Sequence, residues 1–224
     1  MVVSVVVPVH DGEAFIADCW ATLCAQSELP HEVVFVDDGS TDRTVERIRA
    51  LGDSSVRVTV LSQPRLGPAA ARNAGILAAQ SPLIAFLDVD DAWPENKLER
   101  ALQCFAEQPE LEVVGGLVQL RWALEREPHN PALAAPHRRV NLGACVFRAR
   151  VFQRVGLLDP KLQYGEDVDY WCRLREARVS CLELDEVTLY YQQHDSNMTR
   201  GRSARDLGLF QALAKSLRRS RPSL

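Results

Sequence analysis

Three aspartates crowd into Asp88-Val89-Asp90-Asp91, directly after the apolar run Leu83 to Leu87 and just ahead of Trp93-Pro94. Carboxylates this close repel one another unless a cation is shared, so the pattern points to a divalent metal held by oxygen ligands. An acidic turn that caps the next helix has the same appearance, and the motif alone leaves both readings open. An EF-hand loop is excluded, because counting from Asp88 the position that needs glycine is Trp93. A second acidic pair, Asp37-Asp38, ends another apolar run, where doubly wound folds often place an acid that reads a nucleoside. Glu166-Asp167 forms a third pair at the start of a helical stretch, a place where the helix dipole favours acids in any case.

Those acids need elements to hold them. Val2 to Val9 reads as a β-branched first strand, followed by helical spacing at Phe15, Ile16, Cys19, Trp20 and Leu23. The unit repeats as a strand from Glu32 to Val36 with a helix from Thr41, then a strand from Val56 to Leu61 with a helix from Gly67-Pro68 to Ala79. The fourth unit is the strand before Asp88, with a helix from Pro94 to Glu107. Four such alternations predict a mainly parallel sheet covered by helices on both faces, with ligands beyond the carboxyl ends of its strands. Further along, strands are expected at Leu111 to Leu120, near Ala144 to Phe147, and separately at Val179 to Leu184 and Val187 to Gln192. Helices are expected at Ala149 to Val155, Val168 to Ala177 and Ser203 to Arg219, and the polar, proline-bearing stretch Glu125 to Arg139 reads as a loop or lid.

Composition narrows the function. With 224 residues and 46% hydrophobic content, the chain is sized for a single domain. A net charge of −4 argues against a broad nucleic-acid surface. The six cysteines contain no Cys-x-x-Cys pair and read as reduced, buried thiols of a cytoplasmic protein. No run reaches the roughly 20 apolar residues of a membrane span. The C-terminal stretch Ala204 to Arg221 carries apolar residues on one face and a basic end. It reads as a last helix packed on the domain, with peripheral contact to an anionic membrane as the rival. No Gly-x-Gly-x-x-Gly follows the first strand and no P-loop occurs, so a nucleotide would need a metal and a few cations for its phosphates. Arg72, early in its helix, is one candidate cation, although most arginines so placed lie on the surface.

Five pieces in order complete a pattern: Val6 to His10, Val36 to Asp42, Gly67 to Ile76, Phe86 to Asp91, and Gly165 to Trp171. Together they make the chain resemble a family 2 glycosyltransferase of the GT-A fold over nearly its whole length. The resemblance implies one domain over 1–224, with a nucleotide-sugar half at 1–110, an acceptor half at 111–202, and a helix with a basic tail at 203–224. It implies donor contacts from Pro8, Val9, Glu13, Asp38, Gly67, Arg72, Asp88 and Arg200, with Asp38 and Arg72 toward the nucleoside and Asp88 at the ribose. Asp90 and His194 would hold Mn²⁺ or Mg²⁺, and Asp167, with Glu166 as second candidate, would be the base. The implied reaction is inverting transfer from a nucleoside-diphosphate sugar, UDP favoured, to a saccharide or lipid-linked hydroxyl, as in polysaccharide or glycolipid synthesis. His10 departs from the family pattern, which commonly carries asparagine there, and the acceptor half is short. A sugar-phosphate nucleotidyltransferase would be expected to show a basic glycine-rich loop where Val9-His10-Asp11-Gly12-Glu13 stands. A non-catalytic nucleotide-sugar-binding protein would have little use for both Asp90 and Asp167.

Overall fold

The computed structural model describes residues 1–51, 56–122, 134–195, 197 and 209–219. Among the described residues seven strands form one mixed sheet: β1 (Val3–Val9), β2 (Glu32–Asp37), β3 (Arg57–Ser62), β4 (Leu83–Phe86), β5 (Val113–Trp122), β6 (Val146–Arg148) and β7 (Cys181–Gln193). Their order across the sheet is β3-β2-β1-β4-β6-β5-β7. The first four strands are parallel neighbours, as the alternation predicts, and β5 and β7 are parallel to each other. β6 runs antiparallel to both β4 and β5 and joins the two sets. Every residue of β1, β2 and β4 is buried, which requires cover on both sheet faces.

The helices are α1 (Ile16–Cys24), α2 (Thr44–Arg49), α3 (Pro68–Ala78), α4 (Lys97–Glu107), α5 (Arg150–Val155), α6 (Glu166–Glu176) and α7 (Leu209–Arg219). α3 lies tightly on β1: a Cβ added at Gly75 would sit 2.2 Å from Val6 Cγ1. An aromatic cluster of Phe86, Phe147, Phe152 and Tyr170 joins β4, β6, α5 and α6 into the same core.

The structure corrects several sequence-based expectations. α2 begins at Thr44 rather than Thr41, because the Asp42 carboxylate accepts from the Thr44 amide at 2.9 Å and Thr41 is bound instead to Asp11. α4 begins at Lys97, after a turn in which the Lys97 amide donates to the Pro94 carbonyl. The two strands expected between Val179 and Gln192 are one, β7, which passes the acidic stretch with register shifts against Gly115 and Leu117. Gly116 permits this close approach, since a Cβ there would meet the Glu186 carbonyl oxygen at 2.6 Å. The cysteines are all free, yet Cys24 and Cys181 are exposed rather than buried. Most of Glu125 to Arg139, and Ser203 to Gly208 of the expected last helix, lie outside the described residues.

α7 packs against α6 with its polar side. Arg219 pairs with Asp169 and Glu176, Lys215 with Asp159, and Ser216 donates to Glu176. Phe210, Leu213 and Leu217 face outward instead. Among the described residues no helix is long and apolar enough to cross a membrane.

Candidate active site

The strand order reverses between β1 and β4, and in such sheets the crevice at the reversal receives the ligand. Pairing between these strands ends at Val6 and Phe86, so beyond that level they part, and Pro8 and Val9 border the opening. Asp37-Asp38 leave the end of β2 beside it, and Asp88 to Asp91 leave the end of β4.

Asp38 organises the approach to α3. Its Oδ1 accepts from Gln63 Nε2 at 2.7 Å and from the Leu66 amide at 2.8 Å, and its Oδ2 accepts from the Gly67 amide at 2.8 Å. Gly67 adopts φ 94°, a conformation that favours glycine, and Pro68 then starts the helix. α3 carries Arg72 inward, where it is 5% exposed, unlike the common surface arginine. Its Nη1 donates to Glu166 at 2.9 Å and its Nη2 to Asp88 at 2.6 Å. One guanidinium thus joins the acids after β4 to those that open α6, which are 78 residues apart in sequence by 166 − 88. Burial opposes its charge, but Asp88, Glu166 and Asp167 outweigh that and hold its pKa above the ordinary arginine value.

The acidic loop itself is a built turn. The Asp91 amide donates to the Asp88 carbonyl, and Ala92 bridges to Tyr190 at the end of β7. Asp91 is buried and accepts from the Gln192 amide at 3.0 Å. It is therefore neither exposed to a ligand nor a cap for α4; it fixes the end of β7 that delivers His194. Burial, and then the charges of Asp88 and Asp90, push its carboxyl well above the usual range. His194 Nε2 lies 2.9 Å from Asp90 Oδ2, and the His194 ring packs 4.9 Å from that of Phe15. Asn197 turns back on the same group: its Oδ1 accepts from the His194 amide at 2.5 Å and its Nδ2 donates to the Gln192 carbonyl at 3.0 Å. Burial and the neighbouring Asp88 raise the Asp90 pKa, against the opposing pull of His194.

These residues fit a divalent cation as a partial ligand set. Among the described residues no group of three or more His, Cys, Asp or Glu is placed to hold one. Asp90 and His194 offer one carboxylate and one imidazole, and a magnesium- or manganese-type site commonly takes its remaining oxygens from water and substrate phosphates. The raised Asp90 pKa marks a carboxyl short of positive charge, which a cation would supply.

Opposite the loop, Gly165 takes φ 76° and starts α6, so that Glu166 and Asp167 fall in its first turn. Glu166 is spent on Arg72. Asp167 accepts one long contact, from the Leu142 amide at 3.4 Å. Burial pushes its pKa up to about 7, Glu166 and Asp88 push in the same direction, and Arg72 and the Leu142 N–H oppose them. A carboxyl titrating near neutrality suits proton abstraction.

Leu142 belongs to a short 3₁₀ turn, Leu142–Ala144, whose Gly143 carbonyl accepts from Trp93 Nε1 at 3.2 Å and from Lys97 Nζ. Lys97 is 3% exposed and stands 3.8 Å from the centre of the Trp93 ring. Burial holds its pKa well below the usual lysine value. Trp93, Lys97 and Asn197 are site residues that sequence reasoning missed. Trp93 follows the acidic loop closely, and Asn197 stands three residues beyond His194, near enough for its side chain to reach back to the His194 amide.

Glu13 lies at the rim, paired with Arg43, just before α2, and with Arg47 of α2. His10 donates through Nδ1 to the Asp38 carbonyl at 3.0 Å and so stays beside the crevice. Arg200 falls outside the described residues.

A doubly wound sheet with acids at its reversal point, extended by a second parallel pair, is the GT-A type of α/β fold, and solved structures share it. A mannosyltransferase from Pyrobaculum calidifontis, in complex with GDP-Man and Mn²⁺, superposes with TM-score 0.77 at 19% identity over 99% of this chain and 65% of its own. Staphylococcus aureus TarS in complex with UDP-GlcNAc gives TM-score 0.70 at 22% identity over 91% and 62%. The model of glycosyl transferase family 2 matches residues 4–151, and the chain belongs to that family. The glycosyltransferase EpsJ of Bacillus subtilis is 29% identical over 218 residues, covering 88% of this chain and 62% of that protein. A glycosyltransferase of Haemophilus influenzae is 39% identical over 101 residues, covering 45% and 40%. The chain therefore spans between two fifths and two thirds of the length of these two relatives.

Proposed function

We propose that this chain carries out metal-dependent, inverting transfer of a sugar from a nucleoside diphosphate, UDP favoured, to a saccharide or lipid-linked hydroxyl. The observation that carries the reading is Arg72, which brings Asp88 and the Glu166-Asp167 pair to one crevice, where burial and Glu166 push Asp167 up to about 7 against the pull of Arg72. In the proposed reaction the acceptor oxygen forms a bond to the anomeric carbon on the face opposite the leaving group. The bond from that carbon to the diphosphate breaks, and the acceptor proton passes to Asp167. Inversion follows from this single displacement. Asp88 orients the ribose while Arg72 holds the Asp88 carboxylate through Oδ1, and the Asp38 loop borders the nucleoside. Glu166, tied to Arg72, keeps Asp167 in place rather than competing for the proton. Asp90 and His194 would hold Mn²⁺ or Mg²⁺, which when bound neutralises charge growing on the diphosphate.

That the partner sugar nucleotide of one solved neighbour is GDP-Man with Mn²⁺ and of another UDP-GlcNAc supports a nucleotide-sugar donor and a divalent ion. The unpaired cysteines support a reducing, cytoplasmic setting. Contact with a membrane through α7 would rest on Phe210, Leu213, Leu217 and Arg218, since Lys215 and Arg219 are turned onto the domain. Release of nucleoside diphosphate from UDP-, GDP- and dTDP-sugars, followed with and without Mn²⁺, tests the proposal. Metal-dependent release from at least one donor is expected. Metal-independent release, or none from any donor, overturns it.

A further inference from the structure

We propose that the groove beside Asp167 takes an acceptor sugar bearing a negative charge, with Arg139 as the residue that recognises it. The proposal rests on the acceptor reading above and adds the acceptor's chemical class.

A groove of about 140 Å³ runs along β5, where Gly115 and Gly116 leave its floor without side chains. Arg138, Arg139, Asn141, Trp171 and Glu183 also line it. It is contiguous with the base: Trp171 stands one helical turn beyond Asp167 on α6, and Asn141 precedes the residue whose amide touches Asp167. An aromatic side chain with planar polar neighbours suits a sugar, whose apolar face stacks while its hydroxyls bond.

The pairing of charged groups around the groove shows which cation is left open to a ligand. Glu183 Oε2 lies 2.6 Å from Arg138 Nη1, and Asp185 Oδ1 lies 2.5 Å from Arg138 Nη2. Glu183 and Asp185 are therefore both engaged by one arginine. Arg139 has no carboxylate partner among the described residues; its guanidinium lies 5.1 Å from the centre of the Tyr191 ring. A ring contact occupies the face of a guanidinium and leaves its N–H edge open to an acceptor. Asn141 spends its side-chain oxygen on the Gly143 amide at 2.7 Å, which leaves the amide NH₂ as a further donor. The groove thus holds donors in excess, and Arg139 is its guanidinium without a carboxylate partner among the described residues. Its natural complement is a carboxylate or a phosphate on the sugar, met by the fork of Arg139.

The test is isothermal titration of the full chain, without metal, with p-nitrophenyl β-glucuronide, p-nitrophenyl β-glucoside and glucose 6-phosphate, in the wild type, Arg139→Gln and Arg139→Lys. The charged sugars are expected to bind about tenfold more tightly than the glucoside. Arg139→Gln removes that preference while the glucoside is bound as before, and Arg139→Lys keeps part of it. Preference for the glucuronide alone identifies a carboxylate, and preference for glucose 6-phosphate alone a phosphate. Equal binding of charged and neutral sugars, equal loss of all three in Arg139→Gln, or binding of none overturns the proposal. A parallel titration with UDP-sugars and Mn²⁺ reads the donor site, so its failure counts against the donor reading and leaves the groove result standing.

Discussion

Replacing Asp167 by asparagine separates its chemical role from its structural cost. The carboxyl titrates at about 7 rather than at 3.8, chiefly because it is buried and beside Glu166. The folded state therefore holds a proton between these values that the unfolded chain has released, and stability falls as pH rises through that window. The full shift corresponds to about 4 kcal/mol at 1.36 kcal/mol per unit, and about half of that survives the water that reaches a half-buried group. Asparagine carries no such penalty. Asp167→Asn should thus melt together with the wild type at pH 4 and about 4–8 °C above it at pH 8.5, by the usual scaling for a chain of this size. The same variant should lose about 10²–10⁴ in kcat and lose the acid limb near pH 7 from its kcat/KM profile. Differential scanning fluorimetry across pH, with initial rates on the same preparations, reads both effects. A melting difference that does not change with pH, or an acid limb that survives the substitution, would refute the reasoning.

Arg72→Met should destabilise the protein by about 3–5 kcal/mol, read from urea unfolding, because Glu166 and Asp88 are left in the site without their cation. A loss below 1 kcal/mol would mean the carboxyls find other partners. Lys97→Met should fold, since an apolar side chain suits a site that already disfavours the lysine charge, but should leave the Gly143 carbonyl held by Trp93 Nε1 alone. With the Leu142 amide then held less firmly on Asp167, the acid limb moves to higher pH; an unmoved limb would contradict this. Gly75→Ala should cost about 1–3 kcal/mol in chemical denaturation without altering the pH profile, because the new Cβ meets Val6 Cγ1 at 2.2 Å. Sedimentation with anionic vesicles should show no salt-sensitive binding, as two of the three basic residues of α7, Lys215 and Arg219, are paired on the domain and only Arg218 is left to meet a membrane.

The donor half was legible in the sequence because its signals are local. Buried strands such as Val3–Val9 and Glu32–Asp37 are short apolar runs, and each ends in residues that cannot be buried cheaply. The second half was less legible because its order depends on distant partners. The stretch Glu183-Leu184-Asp185-Glu186 reads as a break, yet it continues as strand because Arg138 and Arg100 pair with its carboxylates and Gly116 admits its backbone. The acids of the site were visible as types, but their division of labour was not. Arg72 looks like any helix arginine until the fold places Asp88 and Glu166 on its two nitrogens. Asp91 looks like a third ligand until its oxygen is found on the Gln192 amide. Lys97, three residues past Pro94, gives no local hint that it will be buried beneath the turn that touches Asp167.

The central claim is that the crevice between β1 and β4 binds a nucleoside-diphosphate sugar together with a divalent ion held by Asp90 and His194. Its most direct test is a thermal-shift panel of UDP-, GDP- and dTDP-sugars, each with and without Mn²⁺, on the wild type and Asp90→Ala. At least one sugar nucleotide should raise the melting temperature of the wild type only when Mn²⁺ is present, and Asp90→Ala should lose that increment. No metal-dependent shift with any of the nucleotides, or an increment that Asp90→Ala retains in full, would contradict the account.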